Sequence, residues 1–170
     1  MIKITLKAIL YFSIFSLVSC GEGTSKVVAI QPNINLLFKC NMLEKFQIEK
    51  YAVDIFSKPE YLVVNKGRAE RLAGHDRLYV IAIERSNDYI MEFRESHFDS
   101  NQFSFSITKN PSVTNFSNVD NIFSNIASDF ISTFGCETIK KVEGSNPPES
   151  INFYNELVSI KRGWYEQSLQ

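Results

Sequence analysis

His75 and His97 are the only histidines in the chain, and Cys20, Cys40 and Cys136 are the only cysteines. His75 precedes Asp76, and an imidazole beside a carboxylate can do general acid–base work. Adjacent residues, however, seldom meet side chain to side chain in catalytic geometry. The chain also holds no G-x-S-x-G elbow, no H-E-x-x-H pair and no Gly-rich phosphate loop. His75 therefore reads as part of a solvated loop, and no residue is given a catalytic role. Cys40 and Cys136 form no CxxC and have no histidine within four residues, so neither a metal site nor a cofactor is expected.

Cationic side chains offer a second chemistry. The segment from Lys66 to Arg77 carries Lys66, Arg68, Arg71 and Arg77 against Glu70 and Asp76. A long loop with that excess could grip an anion: a lipid phosphate, a cell-wall carboxylate or an acidic partner surface. The plainer reading is a charged loop that keeps a sheet edge wet. Glu92, Arg94 and Glu95 fall on a predicted strand, where alternation sets Glu92 and Arg94 opposite Tyr89, Met91 and Phe93. They read as a solvated face. Tyr154, Trp164 and Tyr165 near the C-terminus form either a partner-binding patch or the last layer of the core.

The strongest signal is an address. Lys3 and Lys7 are the only charges before Cys20, and about 11 apolar-dominated residues follow from Ala8 to Val18. That is too short for a membrane span, which needs roughly 20, and it reads as an export signal over residues 1–19. Leu17-Val18-Ser19-Cys20 resembles the lipobox of bacterial lipoproteins. The resemblance implies cleavage before Cys20, a thioether-linked diacylglycerol on its sulfur, and acylation of the new amino group. Each buried methylene contributes about 0.8 kcal/mol, so two or three chains hold where one does not. Gly21, rather than Asp, follows the cysteine, which by the same resemblance implies the outer membrane, facing the periplasm. Residues 20–26 then form a small, polar tether, and residues 27–170 a single domain.

In an oxidising compartment the remaining pair favours a Cys40–Cys136 disulfide. Closing a loop of about 97 residues would stabilise by roughly 4–5 kcal/mol on chain-entropy grounds. Loss of Lys3 and Lys7 with the leader takes the formal charge from −1 to −3. With 44% apolar and 22% charged residues, the composition excludes a disordered or collagen-like chain, and the mild acidity argues against nucleic acid as a partner.

The elements that must position these residues are mostly strands. β-rich runs cover 27–31 and 34–40. Phe46 and Ile48, then Tyr51, Val53 and Ile55, alternate with a phase slip at Glu49-Lys50, which reads as a strand with a β-bulge. Tyr61–Asn65, Leu78–Glu84, Tyr89–Glu95 and Gln102–Thr108 complete an antiparallel meander of about six or seven strands. One apolar face per strand implies an open sheet wet on its other side, or a small barrel. From Val119 to Phe134 the period changes to a helical stripe, with Ser117 and Asp120 as a capping pair and Gly135 as the stop. That helix, near 118–134, is expected to pack on the sheet and give an α+β domain. Residues 137–143 read as a short strand and 144–148 as a loop. Beyond Pro147 the sequence fits a helix through Ile151, Tyr154, Leu157, Val158, Lys161 and Trp164, with a terminal strand as the alternative.

The function expected from these features is a non-enzymatic, lipid-anchored envelope protein that binds an envelope protein or a cell-wall component. Two alternatives stand beside it. At the level of fold plan alone, the β-meander with a disulfide resembles periplasmic lysozyme inhibitors, although their Ser-Gly and Trp-Lys-Gly signatures do not occur here. An envelope hydrolase would use His75 or His97 as base.

Overall fold

A computed structural model describes residues 30–40, 45–67, 77–96, 101–114 and 117–170. The order is β1 (Ile34–Lys39), α1 (Lys45–Phe56), β2 (Tyr61–Asn65), β3 (Tyr79–Glu84), β4 (Tyr89–Glu95), β5 (Gln102–Lys109), α2 (Ser117–Phe134), β6 (Glu137–Glu143) and α3 (Ile151–Ser168). The six strands form one open antiparallel sheet, ordered β2-β3-β4-β5-β1-β6. β2 to β5 are a meander, and β1 then lies between β5 and β6. The fold is α+β, as the alternating pattern and the single long stripe imply.

The strand expected over residues 46–55 is instead α1. Ile48, Ala52 and Phe56 are fully buried, at i, i+4 and i+8, while Phe46 is 66% exposed. The apparent phase slip is what a 3.6-residue period looks like when read in steps of two. β-branched Val53 and Ile55 pull locally toward strand, but burial of one helical stripe decides. The strand expected over 27–31 is also corrected where it is described: Ile30 and Gln31 belong to no strand. Asn146 clasps Gln31 instead, its Nδ2 donating to the Gln31 carbonyl at 2.8 Å and its Oδ1 accepting from the Gln31 N–H at 3.2 Å. Residues 27–29, the lipobox, Cys20 and the tether lie outside the described part.

One sheet face carries the aromatic core under α1 and α2. Phe38 of β1 lies 5.7 Å from Phe93 of β4 and 4.9 Å from Phe130 of α2, ring centre to ring centre, and Phe123 stacks on Phe105 at 4.5 Å. Tilted and offset rings at these distances gain something beyond their buried area. α2 ends as its sequence implies. Gly135 takes φ of +60°, and the Cys136 N–H donates to the Ile131 carbonyl at 3.0 Å, closing a Schellman-type cap. The side chain of Ser117, expected to begin that helix, is outside the described part.

The second face is neither wet throughout nor closed into a barrel. α3 covers it over β2, β3 and β4, where Leu62, Val64, Ile81, Ile83 and Ile90 meet Tyr154 and Val158. The signal lay in the unbroken apolar run Val80-Ile81-Ala82-Ile83, which demands burial on both faces. The terminal segment is thus the helix read from its stripe and not the alternative strand, and the two side chains that fit the stripe worst, Phe153 and Ile160, point outward at 45% and 47% exposure. α3 also clamps the β3–β4 turn: Tyr154 donates to the Asn87 carbonyl, and Arg162 donates to Asn87 Oδ1 and the Arg85 carbonyl. Asn87 holds φ of +64° there, a left-handed turn position that asparagine tolerates.

Candidate functional site

α2 rests on β4, β5 and β1, as its ring contacts show, and β6 carries the sheet beyond the helix. All seven residues of β6 are exposed. Between the inner side of α2 and the β1–β6 end of the sheet lies a cleft of about 800 Å3. Ile34 and Leu36 of β1, with Phe123, Ala127 and Ile131 of α2, give it an apolar floor. Its rim is charged in both signs: Lys109 pairs with Asp120 on one side, and Lys141 with Glu143 on the other. The amide side chains of Asn33 and Asn146 line one end. Apolar floors with a few polar groups at this volume are the usual form of a ligand-binding concavity.

The Cys40–Cys136 disulfide forms as the sequence implies. It joins the residue after β1 to the junction of α2 and β6, so it fixes the three elements that wall the cleft. Sequence reasoning named the two cysteines but gave the cleft's lining no site role: Asp120 read as a helix cap, Phe123 and Ala127 as part of the helical stripe, and Leu36 as one residue of a strand.

On the opposite sheet face stands an ion cluster. Glu92 of β4 is 4% exposed, which corrects the solvated face expected of it. Lys161 of α3 pairs with its Oε1 and Arg94 with its Oε2, and the Tyr79 hydroxyl donates to Oε1 at 3.0 Å. Lys161 also donates to the Tyr79 oxygen at 2.9 Å. Burial opposes ionisation of Glu92, but Lys161 and then Arg94 override it and hold its carboxyl below the usual range. Burial acts first on Lys161, and with help from Arg94 and Lys66 it keeps that amine below the usual lysine range despite Glu92. The Tyr79 hydroxyl is pushed up, by burial and then by Glu92. Glu92 was visible in sequence as a strand carboxylate. Its partner lies 69 residues away on a helix, beyond the reach of any local pattern.

Of the four cations expected to act as one loop, Arg68 and Arg71 lie outside the described residues. Lys66 turns to α3, its amine 3.6 Å from the centre of the Trp164 ring, while Arg77 is exposed. Gly67 explains how the segment's two ends meet: a Cβ there would fall 2.4 Å from the Arg77 carbonyl oxygen and 2.6 Å from the Tyr79 nitrogen. Only glycine permits that approach. Tyr154 is wholly buried, so it is core, and Trp164 and Tyr165 pack half-buried beside it. His75 and His97 lie outside the described residues, as does any site built on them.

Set against protein-family models, curated proteins and solved structures, the chain matches none. Its function has to be argued from its own surfaces. Among the described residues no group of three or more His, Cys, Asp or Glu side chains could hold a metal ion, and no helix is long and apolar enough to cross a membrane.

Proposed function

We propose that this chain is a lipid-anchored protein of the bacterial cell envelope, held through Cys20 at the outer membrane and facing the periplasm, and that it works as a binding module. The observation that supports the binding role is the 800 Å3 cleft between α2 and β6. Its apolar floor suits hydrophobic side chains. Its rim offers Lys109 and Lys141 beside Asp120 and Glu143, and two asparagine amides at one end. Donors, acceptors and charges of both signs match a polypeptide segment better than a uniformly acidic polymer or an acyl chain. The anchor is supported by the Lys3–Cys20 leader and its lipobox-like junction.

A photoreactive residue at Ser128, on the exposed rim of the cleft, tests the binding role in cells. The expected result is a discrete protein adduct, competed by added purified chain and lost when Ser124→Trp obstructs the cleft. The same probe at Glu156 on the exposed side of α3 should give no such adduct. Identical adducts from both positions, or none from Ser128, would refute the cleft. The anchor is tested separately: Cys20→Ser should move the chain from the membrane fraction to the soluble one.

A further inference from the structure

We propose that the polypeptide recognised at the cleft is an extended segment with an acidic centre that adds to the outer edge of β6 as a further strand, a reading that rests on the binding role of the cleft and names the form of its partner. β6 ends the sheet, and all seven of its residues are exposed. The direction of its backbone groups follows from two bonds. The Gly144 N–H donates to the Asn33 carbonyl at 2.8 Å, so the groups of every second residue back along the strand, Val142 and Lys140, also point to β1. The Cys40 N–H donates to the Asn101 carbonyl at 2.9 Å, which aims Phe38, Leu36 and Ile34 at β5 and leaves Asn35 and Leu37 to face Val142 and Lys140. The register is unbroken from Ile34–Glu143 to Leu37–Lys140, so no bulge upsets this alternation. Lys141 and Glu143 therefore present their N–H and C=O groups away from β1, at the free edge.

The same two residues line the cleft with their side chains. A strand paired to their backbone would lie about 4.8 Å outside β6, and its side chains on the α2 face would stand beside Lys141 and Glu143 at the cleft. Charge selects which strand is admitted. Lysines on an edge discourage pairing in general. Lys140 and Lys141 are neighbours, so one projects from each sheet face, and two consecutive carboxylates in the partner meet both. Lys141 already holds Glu143, but the two side chains are 54% and 63% exposed, and an ion pair this open to water is weak enough to admit another carboxylate. Ile139 and Val142 are exposed along the same edge and favour β-branched neighbours on either side of the acidic pair.

The isotope-labelled full chain in neutral detergent is titrated with the synthetic peptide Thr-Val-Glu-Glu-Val-Thr and followed by amide resonances and hydrogen exchange. The expected result is a saturable shift and slower exchange at the Lys141 and Glu143 amides, while the Val142 amide, already bonded to β1, keeps its rate. Thr-Val-Lys-Lys-Val-Thr should bind about tenfold more weakly. No response at the two amides, or equal binding of the two peptides, would overturn the acidic strand. Protection that rises with protein concentration in the absence of peptide would assign the edge to a second copy and overturn it as well. In cells, Glu143→Pro removes an outward N–H and leaves the β1 ladder complete, whereas Glu143→Gln keeps that N–H. With native circular dichroism in both, the Ser128 adduct should be lost from the first and kept in the second. An adduct kept in both, or lost equally from both, overturns strand addition while the cleft stands; no adduct from the unaltered chain overturns the cleft and the strand together.

Discussion

At the scale of single residues, Glu92 carries the sharpest expectations. Removing one partner from a buried ion pair strands the other charge, which typically costs about 3–5 kcal/mol. Glu92→Gln should therefore lower stability by about 3 kcal/mol in denaturant unfolding, and the double change Glu92→Leu with Lys161→Met should lose less than that. The pH dependence has a definite sign. The native carboxyl is held below its unfolded value of 4.5, so as pH falls the unfolded chain takes up the proton first. The stability contributed by Glu92 is complete above about pH 4.5 and fades below it, so thermal melts of wild type and Glu92→Gln should converge in acid. Lys161 acts at the alkaline end: its native amine releases a proton before the unfolded one does, and its burial penalty eases toward pH 10.5. Gly67 is the second sensitive residue. Gly67→Ala should separate the Lys66 and Arg77 ends, and a red shift of Trp164 emission with loss of stability would report it.

At the scale of elements, legibility followed the length and purity of each period. α2 was plain because eight apolar residues repeat over four turns, and Phe130, wholly buried among Phe38, Phe93 and Phe134, shows what that stripe is for. Phe130→Ala should cost about 3–5 kcal/mol, measurable as a lowered denaturation midpoint at unchanged slope. α1 was misread because its 12 residues mix β-branched and aromatic side chains, and a short apolar run does not declare its period. Here tertiary burial of Ile48, Ala52 and Phe56 overrides the local preference. The second covered face was missed for a related reason. The β3 run announced two-sided burial, but which helix supplies the cover is a long-range fact. The cleft was not legible at all, since it exists only where α2 stops short of β6. The same limit applied to the ion cluster, whose members come from β3, β4 and α3.

For the molecule as a whole, the disulfide is the one covalent link between the two ends of the fold. It ties β1 to the α2–β6 junction across 96 residues. Cys40→Ala with Cys136→Ala should reduce stability by about 2–5 kcal/mol, and because the bond braces the cleft walls, the Ser128 photo-adduct should weaken along with it. A variant that loses the adduct yet keeps full stability would separate the two roles. β6 bears on the whole molecule in another way. It stands at the rim of the sheet, with one side of its backbone unpaired among the described residues, the ordinary invitation to a second copy. Its sequence, Glu137-Thr138-Ile139-Lys140-Lys141-Val142-Glu143, reads nearly the same in charge from either end. An antiparallel neighbour centred on Lys140 would bring glutamate against glutamate and ammonium against ammonium, and a parallel one in step would do the same at every charge. Copies of this protein brought edge to edge would therefore be turned away from those two registers, and a strand-to-strand contact would have to slip along β6 until glutamate meets ammonium.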